Sequence, residues 1–295
     1  MMNKYWEKWS AFWFQSNNDL ALCIFRIIFA SLLLYFYGTR HLDLEFFYSN
    51  SGLMPQEFLK TIEQFKSRPS VLFFIQDFRI IQVLHGIFLF LLLCLAAGLF
   101  TRIVSILVFI LHLSFINRNP VALYGVDMIS TFYLFYLMFV KSNSHLYLDS
   151  LFFKKKNEVI GTQVFVNSAF YRLMQIQLCI IYAYSGLEKL RGTRWWNGSA
   201  VWDIFSLGSL QRWDLSFIAH VPLLIAASTY IILFWEIYFP VLIWIPKLRN
   251  PLLLIGVGLH LSIGLFLNLP IFAALMLSIY VLFIDPKRLE GLLKK

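Results

Sequence analysis

The sequence predicts an all-α fold, a polytopic transmembrane helix bundle of about eight spans with an N-terminal interfacial helix. Three observations carry that expectation. Of 295 residues, 59% are hydrophobic, 18% aromatic and only 14% charged, whereas soluble domains run at about 45–50% apolar and about a quarter charged. The apolar residues fall in continuous runs, too oily to be one face of an amphipathic core. Charges collect between the runs, as they do where the bilayer is the solvent.

A spanning helix needs about 20 mostly apolar residues to cross about 30 Å of hydrocarbon. Residues 1–18 precede the first such run. There Tyr5, Trp6, Trp9, Phe12 and Trp13 with Lys4 and Lys8 read as a helix lying among headgroups, where indoles sit best. No early apolar core with a small-residue cleavage site is present, so the first span is expected to stay. Eight runs follow in a transmembrane domain over 19–286: Leu20–Tyr37, Ile80–Phe100, Ile103–Ile116, Val121–Val140, Ala169–Leu187, Phe217–Ile245, Pro251–Leu267 and Pro270–Ile284. The third and eighth are short enough to be tilted or re-entrant, so seven to nine crossings are expected. Residues 287–295 form a basic tail, and Lys154–Lys156 reads as a topology anchor. The loops Gly38–Arg79 and Gly192–Trp213 carry aromatics and turn residues, and both fall on the predicted outer face as a lid over a pocket.

The charges orient the chain. With the N-terminus inside, the inner segments hold 13 Lys and Arg and the outer ones 10, half of the latter in the longest loop beside five acidic residues. Long loops cross regardless of charge, so the short loops place both termini in the cytoplasm of an inner (plasma) membrane. The formal charge of +9 comes without a basic stripe interleaved with stacking aromatics, which excludes nucleic acid as a partner. Cys23, Cys94 and Cys179 lie inside apolar runs, unlike a disulfide framework or zinc site.

Ionisable groups within spans are costly and ask for a partner or a wet cavity. Arg26 in the first span is read either as one half of an ion pair or as a ligand contact. Asp127 and Glu236 are acceptors for an Arg or a Lys. His85, His112 and His260, in three spans, are either hydrogen-bonded structural groups, ligands of a haem, or members of a metal-free polar pocket. The segment Tyr182–Gly198 ends a span in Gly186, Glu188 and Lys189 and meets a tryptophan-rich loop. Exposed, Lys189 is an interfacial anchor. Folded under the indoles of Trp195 and Trp196, a lysine loses the hydration that favours its charged form and becomes a candidate base, with Glu188 a neighbouring carboxylate.

At these residues the chain resembles the HTTM, or vitamin K-dependent gamma-carboxylase-like, family of membrane proteins. The arginine-bearing first span and Phe47-Tyr48-Ser49-Asn50-Ser51-Gly52-Leu53-Met54-Pro55 look like the family's opening. Asn117-Arg118-Asn119-Pro120-Val121-Ala122-Leu123-Tyr124-Gly125-Val126-Asp127 resembles its asparagine-rich turn and L-Y-G. The stretch from Gly186 through Lys189, Trp195 and Trp196 to Gly198 is similar to its lysine, tryptophan and glycine signature, and His260 to Phe272 to its late histidine helix. The resemblance implies Lys189 as catalytic base towards a quinol such as vitamin K hydroquinone, with Arg26, Asn119, Tyr124, Asp127, Trp195, Trp196, Glu236 and His260 as the ligand-binding set and no metal. In the carboxylase branch that deprotonation leads, through oxygen, to removal of a glutamate γ proton and capture of carbon dioxide. Here Asn119, Pro120 and Val121 stand where the carboxylase has a histidine before L-Y-G, and no large soluble domain follows the last span. The expected activity is therefore related to carboxylation or quinol oxidation without being carboxylation itself. The alternative is a non-catalytic membrane module that helps a secreted or membrane partner protein mature or be exported, as the resemblance implies for some small members.

Overall fold

The computed structural model of the chain describes residues 2–15, 19–63, 68–142 and 161–293, and among them every regular element is helical. Six helices are long and apolar enough to cross a membrane, and two shorter apolar helices, Gly125–Leu137 and Pro270–Phe283, accompany them. The chain is thus an all-α, multi-pass membrane protein. The Lys154–Lys156 tract lies outside the described residues. Two compact units divide the chain, one of Met1–Arg172 with Ile284–Lys295 and one of Leu173–Phe283.

The first unit holds α1 (Met2–Phe14), α2 (Asp19–Thr39), α3 (Leu44–Tyr48), α4 (Gln56–Thr61), α5 (Phe78–Ala97), α6 (Thr101–Arg118), α7 (Gly125–Leu137), the start of α8 (Gly161–Leu190) and α14 (Pro286–Leu293). Helix α1 leaves Tyr5, Trp6 and Trp9 exposed. Helices α2, α5, α6 and α7 pack each on the next, and α14 lies on α2. α5 starts on the Asp77 carboxylate, which accepts the Arg79 N–H at 2.8 Å, and stops at Gly98, whose φ of 79° turns the chain out of the helix. That left-handed turn lets Leu99 N–H return to Cys94 C=O at 2.9 Å. The same turn returns Gly98 N–H to Leu95 C=O at 3.2 Å, one of the last carbonyls that a helix leaves without intrahelical donors. The fully buried Arg26 of α2 adds its guanidinium to this helix end, donating to Leu95 C=O and, at 3.2 Å, to Ala96 C=O.

At the opposite end of this unit the long connection between α2 and α5 is folded down. Arg118, fully buried at the end of α6, donates to Met54 C=O at 2.6 Å, Ser49 C=O at 3.1 Å and Asn50 Oδ1 at 3.3 Å. Asn117 donates to Pro69 C=O at 2.7 Å, and Ser70 Oγ to Ser114 C=O at 2.8 Å. The ends of α2 and α6 and the start of α7 therefore share one end of the unit. The turn after α5 shares the other with residues 139–141 after α7.

The second unit comprises the rest of α8, then α9 (Thr193–Trp196), α10 (Ala200–Phe205), a 3-10 turn Ser216–His220, α11 (Pro222–Leu242), α12 (Pro246–Phe266) and α13 (Pro270–Ile279), which tightens into a 3-10 turn Tyr280–Phe283. Its three last spans each begin with a proline at the first turn, where the missing N–H costs nothing and φ is already helical. Each of the eight predicted runs holds a helix, with shifted ends. The sequence places the seventh start at Pro251. The helix starts at Pro246, because a proline in the second turn forfeits one bond near an end that is already short of partners. The sixth run loses residues 217–221 to the 3-10 turn and the chain leading into Pro222. The third grows to Thr101–Arg118, and the fourth shrinks to Gly125–Leu137 because Pro120 opens a separate 3-10 turn, Pro120–Ala122.

Candidate functional site

Within the second unit, the last turn of α8 builds the site. Lys189 Nζ donates to Glu236 Oε2 of α11 and to Ser185 Oγ, each at 2.6 Å. Ser185 lies four residues before Lys189, so helical spacing alone puts the hydroxyl under the amine. Glu236 arrives because Gly186 lets α11 come close: a Cβ at this glycine would sit 3.0 Å from Ile237 Cγ1 and 3.3 Å from Glu236 C. Charge-assisted bonds of this length are among the stronger polar contacts a protein makes. The two side chains retain 20% and 13% exposure. The ammonium is thus neither free in water nor sealed.

After α8 the chain reverses at Gly192, whose N–H returns to Lys189 C=O at 3.0 Å. This turn swings Trp195 back, so that Lys189 Nζ lies 5.2 Å from its ring centroid, a cation–π distance. Trp196 does something else. Its indole N–H donates to Leu190 C=O at 2.7 Å, its carbonyl accepts from Tyr230 Oη at 2.7 Å, and it remains 57% exposed. It staples the loop to α11 and does not roof the amine. Glu188, the carboxylate next to Lys189 in sequence, pairs with Arg191 at 2.8 Å instead. On a helix, neighbouring residues point about 100° apart.

Two turns further down α8, Tyr182 is buried. Its hydroxyl lies 2.7 Å from His260 Nε2 of α12 and 2.8 Å from Tyr280 Oη. Its ring packs edge-on against Trp235 and Phe239, each at 4.7 Å. Gly256 makes room for this cluster, since a Cβ there would meet Tyr280 Oη and lie 2.6 Å from Trp235 Cζ2. His260 Nδ1 is buried with no hydrogen-bond partner among the described residues.

The other expected site residues belong to the first unit. Asp127 does find a basic partner, but it is Arg40, at 3.4 Å, which also stacks 4.1 Å over Phe36. The same carboxylate accepts the Tyr124 N–H at 3.2 Å and so caps the first turn of α7. Tyr124 packs edge-on against Phe36 at 5.6 Å. Asn119 donates to Phe47 C=O at 2.8 Å, and Arg26 serves the end of α5. His112 is held between Tyr37 Oη at 2.9 Å and Thr131 Oγ1 at 3.0 Å; His85 stacks on His41, with the two Nδ1 atoms 3.3 Å apart. A cavity of about 540 Å³ opens at this loop end, walled by Val71, Phe74 and Ile110, and Lys189 does not line it.

Of the predicted residues, then, Lys189, Trp195 and Glu236 converge, His260 lies in the neighbouring polar cluster, and Arg26, Asn119, Tyr124 and Asp127 serve the other unit. Sequence reasoning missed Ser185, Tyr280 and Arg40. Ser185 was readable from its spacing of four. Arg40 and Tyr280 carry no local signal, since their partners are 87 and 98 residues away.

No protein-family model, curated protein or solved structure matches this chain.

Proposed function

We propose that the chain is an inner-membrane protein of the HTTM type, with both termini cytoplasmic, in which Lys189 is the base of an outward-facing site for a lipid-soluble quinol. The observation that carries this reading is the placement of the Lys189 amine at 2.6 Å from both Glu236 and Ser185 with the Trp195 ring beside it. The donor set suits an aromatic diol, with an indole face for its ring and an amine, a hydroxyl and a carboxylate for its oxygens. A bound quinol supplies a weakly acidic hydroxyl. Glu236 and Lys189 hold a proton along their shared bond, and Ser185 holds the amine in place. When that proton rests on Glu236, the amine accepts one from an adjoining hydroxyl, while Trp195 limits access of water.

The test is oxygen-dependent oxidation of benzo- and naphthoquinols by the full chain in lipid nanodiscs. Lys189→Ala is expected to lower turnover at least about 100-fold, the usual contribution of a general base, while eluting and melting as the wild type does. A wild type inert towards every quinol, or a Lys189→Ala variant of undiminished rate, overturns the reading and leaves the non-catalytic module that serves a partner protein.

A further inference from the structure

Shortly before α5 the chain runs Pro69-Ser70-Val71-Leu72-Phe73-Phe74, and its last four residues form a 3-10 turn, Val71–Phe74. In such a turn the side chains at i and i+3 lie over one another, so Val71 and Phe74 share a face. Leu72 goes wholly into the unit, whereas Val71 is exposed and Phe74 is 89% exposed. The cavity of about 540 Å³ lies between this turn and α6, and Phe73 and Leu113 complete its apolar walls.

The turn is held over α6 as a roof. Ser70 Oγ accepts the Leu72 N–H at 3.2 Å and donates to Ser114 C=O at 2.8 Å. Ser114 Oγ in turn accepts the Val71 N–H at 3.2 Å and donates to Ile110 C=O at 2.7 Å. Asn117 fixes the approach to the turn through Pro69 C=O. Both serine hydroxyls line the cavity, yet both protons are spent inside the protein. Apart from Arg68, the other lining side chains are hydrocarbon.

These walls select the occupant. A cavity lined by such groups stays dry. A polypeptide loop seated in it would bury N–H and C=O groups without partners, and a helix, about 10 Å across, is too wide for the space. A hydrocarbon chain brings no polar group and restores the packing that the walls lack. Depth agrees with this choice: by helical rise, Ser114 lies about 6 Å and Ile110 about 12 Å along α6 from its end at Arg118. From that level towards its start, α6 leaves Ile103, Ile106, Leu107 and Ile110 exposed, along a span long and apolar enough to cross the hydrocarbon. The cavity is therefore continuous with the surface that lipid covers. Arg68, the one charged residue in the lining, suits a phosphate at the head of the chain.

We propose that this cavity binds one acyl chain of a glycerophospholipid from the leaflet that meets this end of the unit, the chain lying on Ile110 and Leu113 under the roof of Val71 and Phe74, with the phosphate towards Arg68. The site lies in the first unit and stands independently of any chemistry at Lys189.

The experiment is native mass spectrometry of the full chain in neutral detergent, titrated separately with dioleoyl phosphatidylcholine, with dihexanoyl phosphatidylcholine and with dioleoylglycerol. One dioleoyl phosphatidylcholine is expected to stay bound per chain, at concentrations where neither the short-chained lipid nor the phosphate-free one is retained. Two substitutions probe the place. Phe74→Ser removes the roof at an exposed position, and Leu113→Trp fills the space from the helix side; each is expected to lose the retained lipid while melting as the wild type does. A phosphatidylcholine with a diazirine midway along one chain, photolysed in the same complex, is expected to label residues 68–74 or 110–114. Four results would each overturn the proposal. They are a wild type that retains no lipid, equal retention of either comparison lipid, wild-type retention by both variants, and labelling confined to other segments, which would show annular lipid only.

Discussion

Replacing Arg118 by methionine tests what holds the long loop between α2 and α5. The side chain is wholly buried and makes three bonds to the loop, while its Nε has no partner among the described residues. Its acceptors do not suffer equally. Ser49 C=O also accepts from Gly52 N–H at 3.3 Å, and Asn50 Oδ1 from Gln56 N–H at 3.3 Å. Met54 C=O, bonded at 2.6 Å, takes the full loss. A bond to a charged donor is worth about 1.5–3 kcal/mol, and a stranded buried carbonyl costs about 1–3 kcal/mol. Crediting the two shared acceptors with little, the loop is destabilised locally by about 3 kcal/mol, or about two orders of magnitude in its opening equilibrium. Methionine also removes a desolvated charge, which returns part of this to the protein as a whole. Local protection should therefore fall more than global stability. Hydrogen exchange in nanodiscs measures it: amides of residues 49–59 are expected to exchange about 100-fold faster, with α11 and α12 unchanged. Unchanged exchange in the loop would show that Asn119 and Gln56 hold it without the guanidinium, and the argument would fail.

Gly256→Ala forces a methyl against Tyr280 and Trp235 and should cost about 1–3 kcal/mol of stability; adding Tyr280→Phe, which removes the obstructing hydroxyl, is expected to recover part of the loss in thermal unfolding. Single cysteines at Arg102 and Arg191 should react with membrane-impermeant maleimide from opposite sides of intact cells or inverted vesicles, with the native cysteines, all buried, silent; labelling from the same side would refute the proposed orientation. The Asp214 carboxylate is held below its ordinary value of 3.8 by the N–H and side chain of Ser216. A depressed value means that the turn is fully supported above about pH 4 and loses that support as the pH falls through the lowered value. The Ser216 amide should therefore lose protection only in acid, and protection independent of pH would count against this contact.

The spans were legible because a helix in lipid must satisfy its own backbone and cover its length with apolar side chains, two demands written locally in composition. Their ends were less so. Pro246 and Pro251 are chemically alike, and only the path of the chain decided which one opens α12. Pairing was legible in kind and not in detail: Asp127 asked for a cation, and nothing local distinguished Arg26, within a span, from Arg40, just beyond one. Helix geometry shows why Glu188 was a poor guide to Lys189. Sequence adjacency places the two on different faces, whereas Ser185, four residues away, lies on the same one.

By itself the amino-acid sequence determined an all-helical membrane protein with costly polar groups at Arg26, Asp127, Lys189, Glu236 and His260, because hydrophobicity and its period are local properties. Tertiary structure alone decided which of these meet. Lys189 and Glu236 come together because Gly186 lets two helices close, and Arg26 turns away to the carbonyls at the end of α5. A buried charge takes the partner that packing brings within reach, and packing is a property of the whole unit.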